Sequence, residues 1–267
     1  MDYSQDEKVV EYGLIHMIDN DRPLKEIFNK KVYEDEFMKL YRLYQQALTA
    51  FTRLYDSKNV EEKAVFAKET AERMIAREEE KLDLIKGKNK RGMTLMDDTA
   101  YVALFVIPAM DYYHTDASDA LADAMTEGWR SHFPEHQIKR GEFEKLNQGF
   151  KKRRFCFITT AACKVMGQPD DCRELTALRS FRDGWLSGLP EGPGLISRYY
   201  DMAPAILARI DTFNDSASCY RSIYEKWLLP CVRLAEAGDN RQCLELYTDM
   251  METLETDFFE RMTADGR

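Results

Sequence analysis

Three cysteines, Cys156, Cys163 and Cys172, stand within RRFCFITTAACKVMGQPDDCRELTALRSFRDGW, residues 153–185, together with Arg179 and Arg182. A thiolate is a nucleophile, a redox centre or a metal ligand, and its surroundings decide which. Cys172 follows Asp171, a candidate helix cap, so backbone N–H groups and the positive end of a helix would favour its thiolate. Asp171 and Glu174 oppose that charge. Cys156 follows the cationic run Lys151, Lys152, Arg153 and Arg154, a second setting that lowers a thiol pKa. Neither cysteine has a histidine close by in the chain to serve as its base. Cys156, Cys163 and Cys172 are therefore candidates for cysteine catalysis or redox sensing, and the plainer reading is three packed free thiols.

Metal binding is a third reading. Cys156 and Cys163 lie on nearly the same face of one helix, about 10.5 Å apart along its axis, too far to share an ion within a straight helix. The C-x6-C-x8-C spacing lacks the short knuckle of structural zinc sites. Folding would have to add a ligand such as His132 or His136. Those two have the i,i+4 spacing of H-E-x-x-H, but the sequence is HFPEH, with Pro134 interrupting the helix and Glu135 out of the base position. Asp111 and His114 stand one turn apart without the Glu-x-x-His pairs of di-iron bundles. Glycine-rich phosphate loops and the G-x-S-x-G elbow are missing. The sequence assigns no cofactor and no metal site.

In LRSFRDGWL, residues 178–186, Arg179 and Asp183 have the spacing of an i,i+4 ion pair, and Phe181 and Trp185 line another face. Arg179 and Arg182 are the candidate anion-binding residues, because guanidinium grips phosphate or carboxylate with two bonds. Internal ion pairing is the competing role. Thr159 and Thr160 suit a helix only if their hydroxyls bond back to the previous turn, and the adjoining Ala161 and Ala162 allow a close helix contact or a pocket. The basic run with Phe150 and Phe155 matches no nucleic-acid module, and the net charge of -9 argues against wrapping nucleic acid.

Helices must position these groups. Phe37, Leu40, Leu43, Tyr44, Ala47, Leu48, Phe51 and Leu54 make one stripe over residues 32–55. Asn59 with Glu62 forms a capping box that opens a second helix, and Gly87 suggests its stop. These two form an N-terminal helical hairpin. The segment KGKNKRG, residues 86–92, reads as a loop and as the domain boundary, giving an N-terminal region 1–90 and a C-terminal domain 91–267. Further helices follow near 94–113, 116–131, 140–152, 153–166, 171–187, 193–202, 204–212, 217–229, 230–237 and 240–261. Pro108 should bend the first of them, and Pro204 should open the seventh. Gly167 and Pro169 close one helix, and Asp171 with Glu174 caps the next. The expected fold is all-α: a multi-helix globular protein with that hairpin and a compact C-terminal bundle.

Hydrophobic residues at 44% and charged residues at 32% give an ordinary globular composition. The opening MDYSQDEKVVEY lacks the basic start and apolar run of a secretory signal. The apolar run AYVALFVIPAM, residues 100–110, is shorter than a membrane span, so no membrane insertion is expected. A cytoplasmic, reducing location follows as an expectation, with the six cysteines free.

The segments CFITTAACK (156–164), LRSFRD (178–183) and YYDMAPAILARI (199–210) together resemble the CFI-box domain found at the C-terminus of diverse prokaryotic proteins. The resemblance rests on Cys156, Phe157, Ile158, Thr160, Ala161, Leu178, Arg179, Phe181, Arg182, Asp183, Tyr199, Tyr200 and Pro204. Thr159 stands where the family has alanine and Cys163 where it has tyrosine, making this a cysteine-bearing variant. The resemblance implies a shared local fold and no particular enzymatic activity. The leading functional expectation is a cytoplasmic accessory protein that binds a protein partner. The alternatives are a cysteine-dependent enzyme or thiol redox sensor, and a metal-binding protein.

Overall fold

The computed structural model describes residues 3–136, 138–151, 156–211 and 215–260. Among these the chain is all-helical, without a β-strand. Described residues up to 149, apart from 29–31, form one compact unit, and residues 29–31 with those from 150 onward form a second. This division falls well beyond residue 90, because the helices after the basic segment pack back onto the N-terminal ones.

The first unit contains α1 (Ser4–Tyr12), a 3-10 turn (Leu14–Ile18), α2 (Leu24–Ile27), α3 (Tyr33–Asp56), α4 (Val60–Asp83), α5 (Lys88–Tyr101), α6 (Ile107–Tyr113), α7 (Asp116–His132) and all but the last two residues of α8 (Phe143–Lys151). The expected hairpin is α3 with α4, and the Asn59–Glu62 capping box opens α4 with both reciprocal bonds in place. The stripe on α3 delivers Phe37, Leu48 and Phe51 to a core completed by Met74, Ile75 and Trp129. Gly128 allows α7 to lie close to α4, since a Cβ there would meet Ile75 Cδ1 at 2.6 Å. Within this core Trp129 Nε1 donates to Thr99 Oγ1 at 3.2 Å, so its one polar atom is satisfied.

The segment expected as a loop is largely helical. Helix α4 ends at Asp83, and Gly87, at φ 100, turns the chain so that α5 begins at Lys88. From there helical structure runs through a π turn (Val102–Val106) into α6. The continuous run Lys88–Tyr113 is long and apolar enough to cross a membrane by length and composition, and 72% of its most apolar window is buried inside the fold. The interruption expected at Pro108 takes the form of that π turn. Pro108 has no N–H for the carbonyl of Leu104. Tyr33 fills the gap by donating its hydroxyl to Leu104 O at 2.8 Å. Tyr33→Phe is therefore expected to cost about 1–3 kcal/mol in a urea titration, the penalty of an orphaned buried acceptor.

The second unit holds α9 (Phe157–Val165), α10 (Arg173–Ser180), α11 (Gly192–Ile210), α12 (Ser216–Ile223), α13 (Leu229–Ala237) and α14 (Asn240–Glu255). π turns extend α10 (Phe181–Trp185) and join α12 to α13 (Tyr224–Leu228) just before Pro230. Two expectations are corrected. Pro204 lies inside α11 rather than opening a new helix, so the segments placed at 193–202 and 204–212 are one helix. Helix α10 is capped at Cys172, not Asp171, and Glu174 makes no capping box. The start of α11 is tight: a Cβ on Gly192 would fall 1.8 Å from Leu186 O, a backbone atom.

Candidate metal centre

The turn between α9 and α10 brings two sulfurs together. Helix α9 closes at Gly167, φ 71, where Gln168 N–H donates to Cys163 O at 2.8 Å in a Schellman arrangement. That bond fixes the backbone of Cys163 itself. The chain reverses at once, Cys172 N–H donates to Pro169 O at 3.1 Å, and Cys172 O accepts from Thr176 N–H at 3.0 Å as the N-cap of α10. Two residues on, Glu174 turns inward and its Oε1 accepts from Tyr224 Oη at 2.7 Å. Tyr224 belongs to the π turn between α12 and α13.

The result is a buried cluster in which the Sγ atoms of Cys163 and Cys172 and a carboxylate oxygen of Glu174 all lie within 4.8 Å of one another. Cys163 is 1% exposed, Cys172 7% and Glu174 8%. Burial first, then the hydrogen bond to Cys172 and the charges of Cys172 and Glu174, push the Cys163 thiol up to about 12. Burial also opposes ionisation of Glu174, but the Tyr224 hydroxyl and Glu174's own backbone N–H hold its carboxyl below the usual range. Burial and the facing carboxylate push Tyr224 up to about 12, so it stays a neutral donor. Arg173, adjacent in sequence, is turned outward to Glu236 Oε1 at 2.8 Å. Two sulfurs and an anionic oxygen thus converge with a hydrogen-bonded tyrosine behind the carboxylate, a donor set able to chelate a metal ion.

Cys156 stands apart from this cluster. It caps the other end of α9, and its Sγ accepts from Arg182 Nη1 at 3.4 Å. Burial raises its pKa despite the charges of Arg182 and Arg179. The same Nη1 donates to Tyr200 Oη at 2.8 Å, and Arg182 Nε and Nη2 grip Asp183 at 2.7 and 2.9 Å. Asp183 therefore pairs with its neighbour Arg182 rather than with Arg179, whose Nη1 donates to the carbonyl of Asp170 at 2.9 Å. Both candidate anion-binding arginines thus make bonds inside the protein. Tyr199 Oη accepts the N–H of Ile158 at 3.0 Å, satisfying one of the free donors at the start of α9. Cys156, Arg182 and Tyr199, with Leu178, Leu244 and Met251, line a mostly apolar cavity of about 70 Å³.

The six cysteines are free thiols. Cys231 and Cys243 make a second close pair, with Cys243 Sγ 3.3 Å from Cys231 O and Cys231 Sγ 4.0 Å from Cys243 O. Among the described residues the metal-capable cluster consists of Cys163, Cys172 and Glu174. His132 bonds Glu79 at 2.9 Å and Glu72 at 2.8 Å in the first unit, and His136 also belongs to that unit. Asp111 pairs with Arg140 at 2.7 Å, and His114 ends α6 at φ 56. In the basic run, residues 152–154 lie outside the described residues, as does Phe155. No protein-family model, curated protein or solved structure matches the chain.

Sequence reasoning selected Cys163 and Cys172 but missed their partner. Glu174 was expected to be a capping residue, and Tyr224 had no expected role. The available signal was a C-x8-C pair spanning a Gly-Gln-Pro turn with an acid two residues later. Such a turn folds the two helix ends side by side.

Proposed function

We propose that this protein is a metal-binding helical protein whose C-terminal unit holds a thiophilic divalent cation, with zinc as the best fit. The observation that carries this reading is the convergence of Cys163, Cys172 and Glu174 in a buried corner. Two thiolates favour soft or borderline ions over magnesium or calcium, which take oxygen donors. Zinc accepts sulfur and carboxylate together, and three protein donors leave one of its four positions to a further ligand. The ion would replace the proton that Cys163 otherwise keeps and offset the mutual repulsion of three acidic groups. Cys163 and Cys172 are the sulfur ligands, Glu174 the oxygen ligand, and Tyr224 the residue that orients the carboxylate. The role is to fasten the α9–α10 turn to the π turn after α12, an anchor for the second unit.

The test uses full-length protein purified anaerobically, with metal content measured by plasma mass spectrometry and binding followed by cobalt titration. One equivalent of zinc is expected, and cobalt should give a thiolate charge-transfer band that zinc abolishes. Sub-stoichiometric metal together with no charge-transfer band would overturn the assignment.

A further inference from the structure

The two sulfurs that serve as metal ligands are also placed to bond with each other. We propose that Cys163 and Cys172 form a reversible disulfide under hydroperoxide, and that this bond expels the metal, so that metal retention reports the oxidation state of the surroundings. The release step rests on the metal reading above, whereas the disulfide rests on the sulfur geometry alone.

Sulfurs already within 4.8 Å need less than about 3 Å of approach to reach the disulfide bond length. Cys163 lies in the last turn of α9, and Cys172 lies at the end of a short turn as the N-cap of α10. Both sulfurs thus stand at helix ends, joined by the short turn between α9 and α10. The two sulfurs also differ in access. Cys172 is 7% exposed against 1% for Cys163, so a peroxide reaches its sulfur first. Cys172 is therefore the attacking sulfur and Cys163 the resolving one.

The chemistry closes without a further reagent. The Cys172 sulfur attacks the terminal oxygen of the hydroperoxide, an S–O bond forms, the O–O bond breaks, and the departing alkoxide, or hydroxide from hydrogen peroxide, takes the Cys172 proton and leaves as an alcohol or water. The Cys163 sulfur then attacks Cys172, the S–S bond forms, and hydroxide leaves with the Cys163 proton as water. Two electrons pass from the thiols to the peroxide. Disulfide sulfur is a poor ligand, so Glu174 alone is left to hold the ion. Cys231 and Cys243 provide an internal comparison, as a close thiol pair with both members fully buried.

Full-length protein, metal-free and loaded with one equivalent of zinc, is treated with hydrogen peroxide. Tryptic mapping separates Cys163 from Cys172 at Lys164, and a chromogenic chelator reads free zinc. The expected result is a peptide linking Cys163 to Cys172, loss of the bound zinc in step with that link, and recovery of both thiols and zinc with dithiothreitol. Cys172→Ser should abolish the link while its circular dichroism matches that of the parent. Zinc-loaded protein that keeps its metal, or that loses it without the Cys163–Cys172 peptide, overturns the proposal. A link formed in a chain that never held zinc supports the disulfide and overturns both the release step and the metal reading.

Discussion

Cys163→Ser is expected to weaken zinc binding by more than ~100-fold, because even partners that only orient a ligand change metal affinity by about 10–100-fold. The consequence for stability follows from mass action. At a zinc concentration ~100 times the dissociation constant, binding adds about 2.7 kcal/mol to the folded state. A variant bound ~100-fold more weakly keeps only about 0.4 kcal/mol of that increment at the same zinc concentration. Urea titrations with and without zinc read the difference directly. Cys231→Ser is the matched control, since Cys231 is as buried as Cys163 but belongs to the other thiol pair. It should lower stability with and without metal alike and retain the zinc-dependent increment. Tyr224→Phe removes the bond to Glu174 and leaves the three donors in place, so a loss of about 10-fold in affinity is expected. If Cys163→Ser keeps the full zinc increment, the ion binds elsewhere and the centre described here is not its site.

The parts of this architecture that were legible in the sequence are those fixed by near neighbours. The α3 stripe repeats every three or four residues, and the Asn59–Glu62 box needs only four consecutive positions, so both could be read without knowing what they pack against. Pro204 misled because a proline satisfies local rules at a helix start, whereas α11 carries it internally. The break near Pro108 was legible, but its repair by Tyr33, from a helix far earlier in the chain, was not. The candidate centre shows the same limit. The short turn at Gly167 and Pro169 marked the helix carrying Cys163 and the helix beginning near Cys172 as antiparallel neighbours, but the bond by which Tyr224 holds the Glu174 carboxylate comes from fifty residues away. The sequence spacing likewise assigned Asp183 to Arg179, while the tertiary fold gave Arg182 three partners at once.

Glu78→Gln is expected to flatten the fall of stability with pH and to stabilise the protein at alkaline pH. Glu78 is 1% exposed on α4, facing Asp98 on α5, with Lys81 Nζ 2.6 Å from Asp98 Oδ2 and 3.6 Å from Glu78 Oε2. Burial first, then the Asp98 charge, raises the Glu78 pKa from 4.5 to about 9. Burial moves Asp98 upward as well, although Lys81 opposes it. Above pH 4.5 the unfolded chain therefore releases a proton that the folded chain keeps up to about pH 9. The folded state binds more protons across that window, so its stability must decline as pH rises and level off only above the folded value. His132 acts in the same direction. Its hydrogen bond to Glu79, reinforced by Glu72, raises its pKa above 6.5, so its contribution is complete below that value and is lost as pH passes through the folded pKa. Each pH unit of the Glu78 window is worth at most about 1.4 kcal/mol, so urea titrations between about pH 5 and about pH 8 should show a loss of up to about 4 kcal/mol in the parent. Glutamine has the shape of the protonated acid and a donor for Asp98, but no proton to lose. Glu78→Gln should therefore remove the Glu78 part of that slope and leave the components from Asp98 and His132, whereas an unchanged slope would place the proton on a different group.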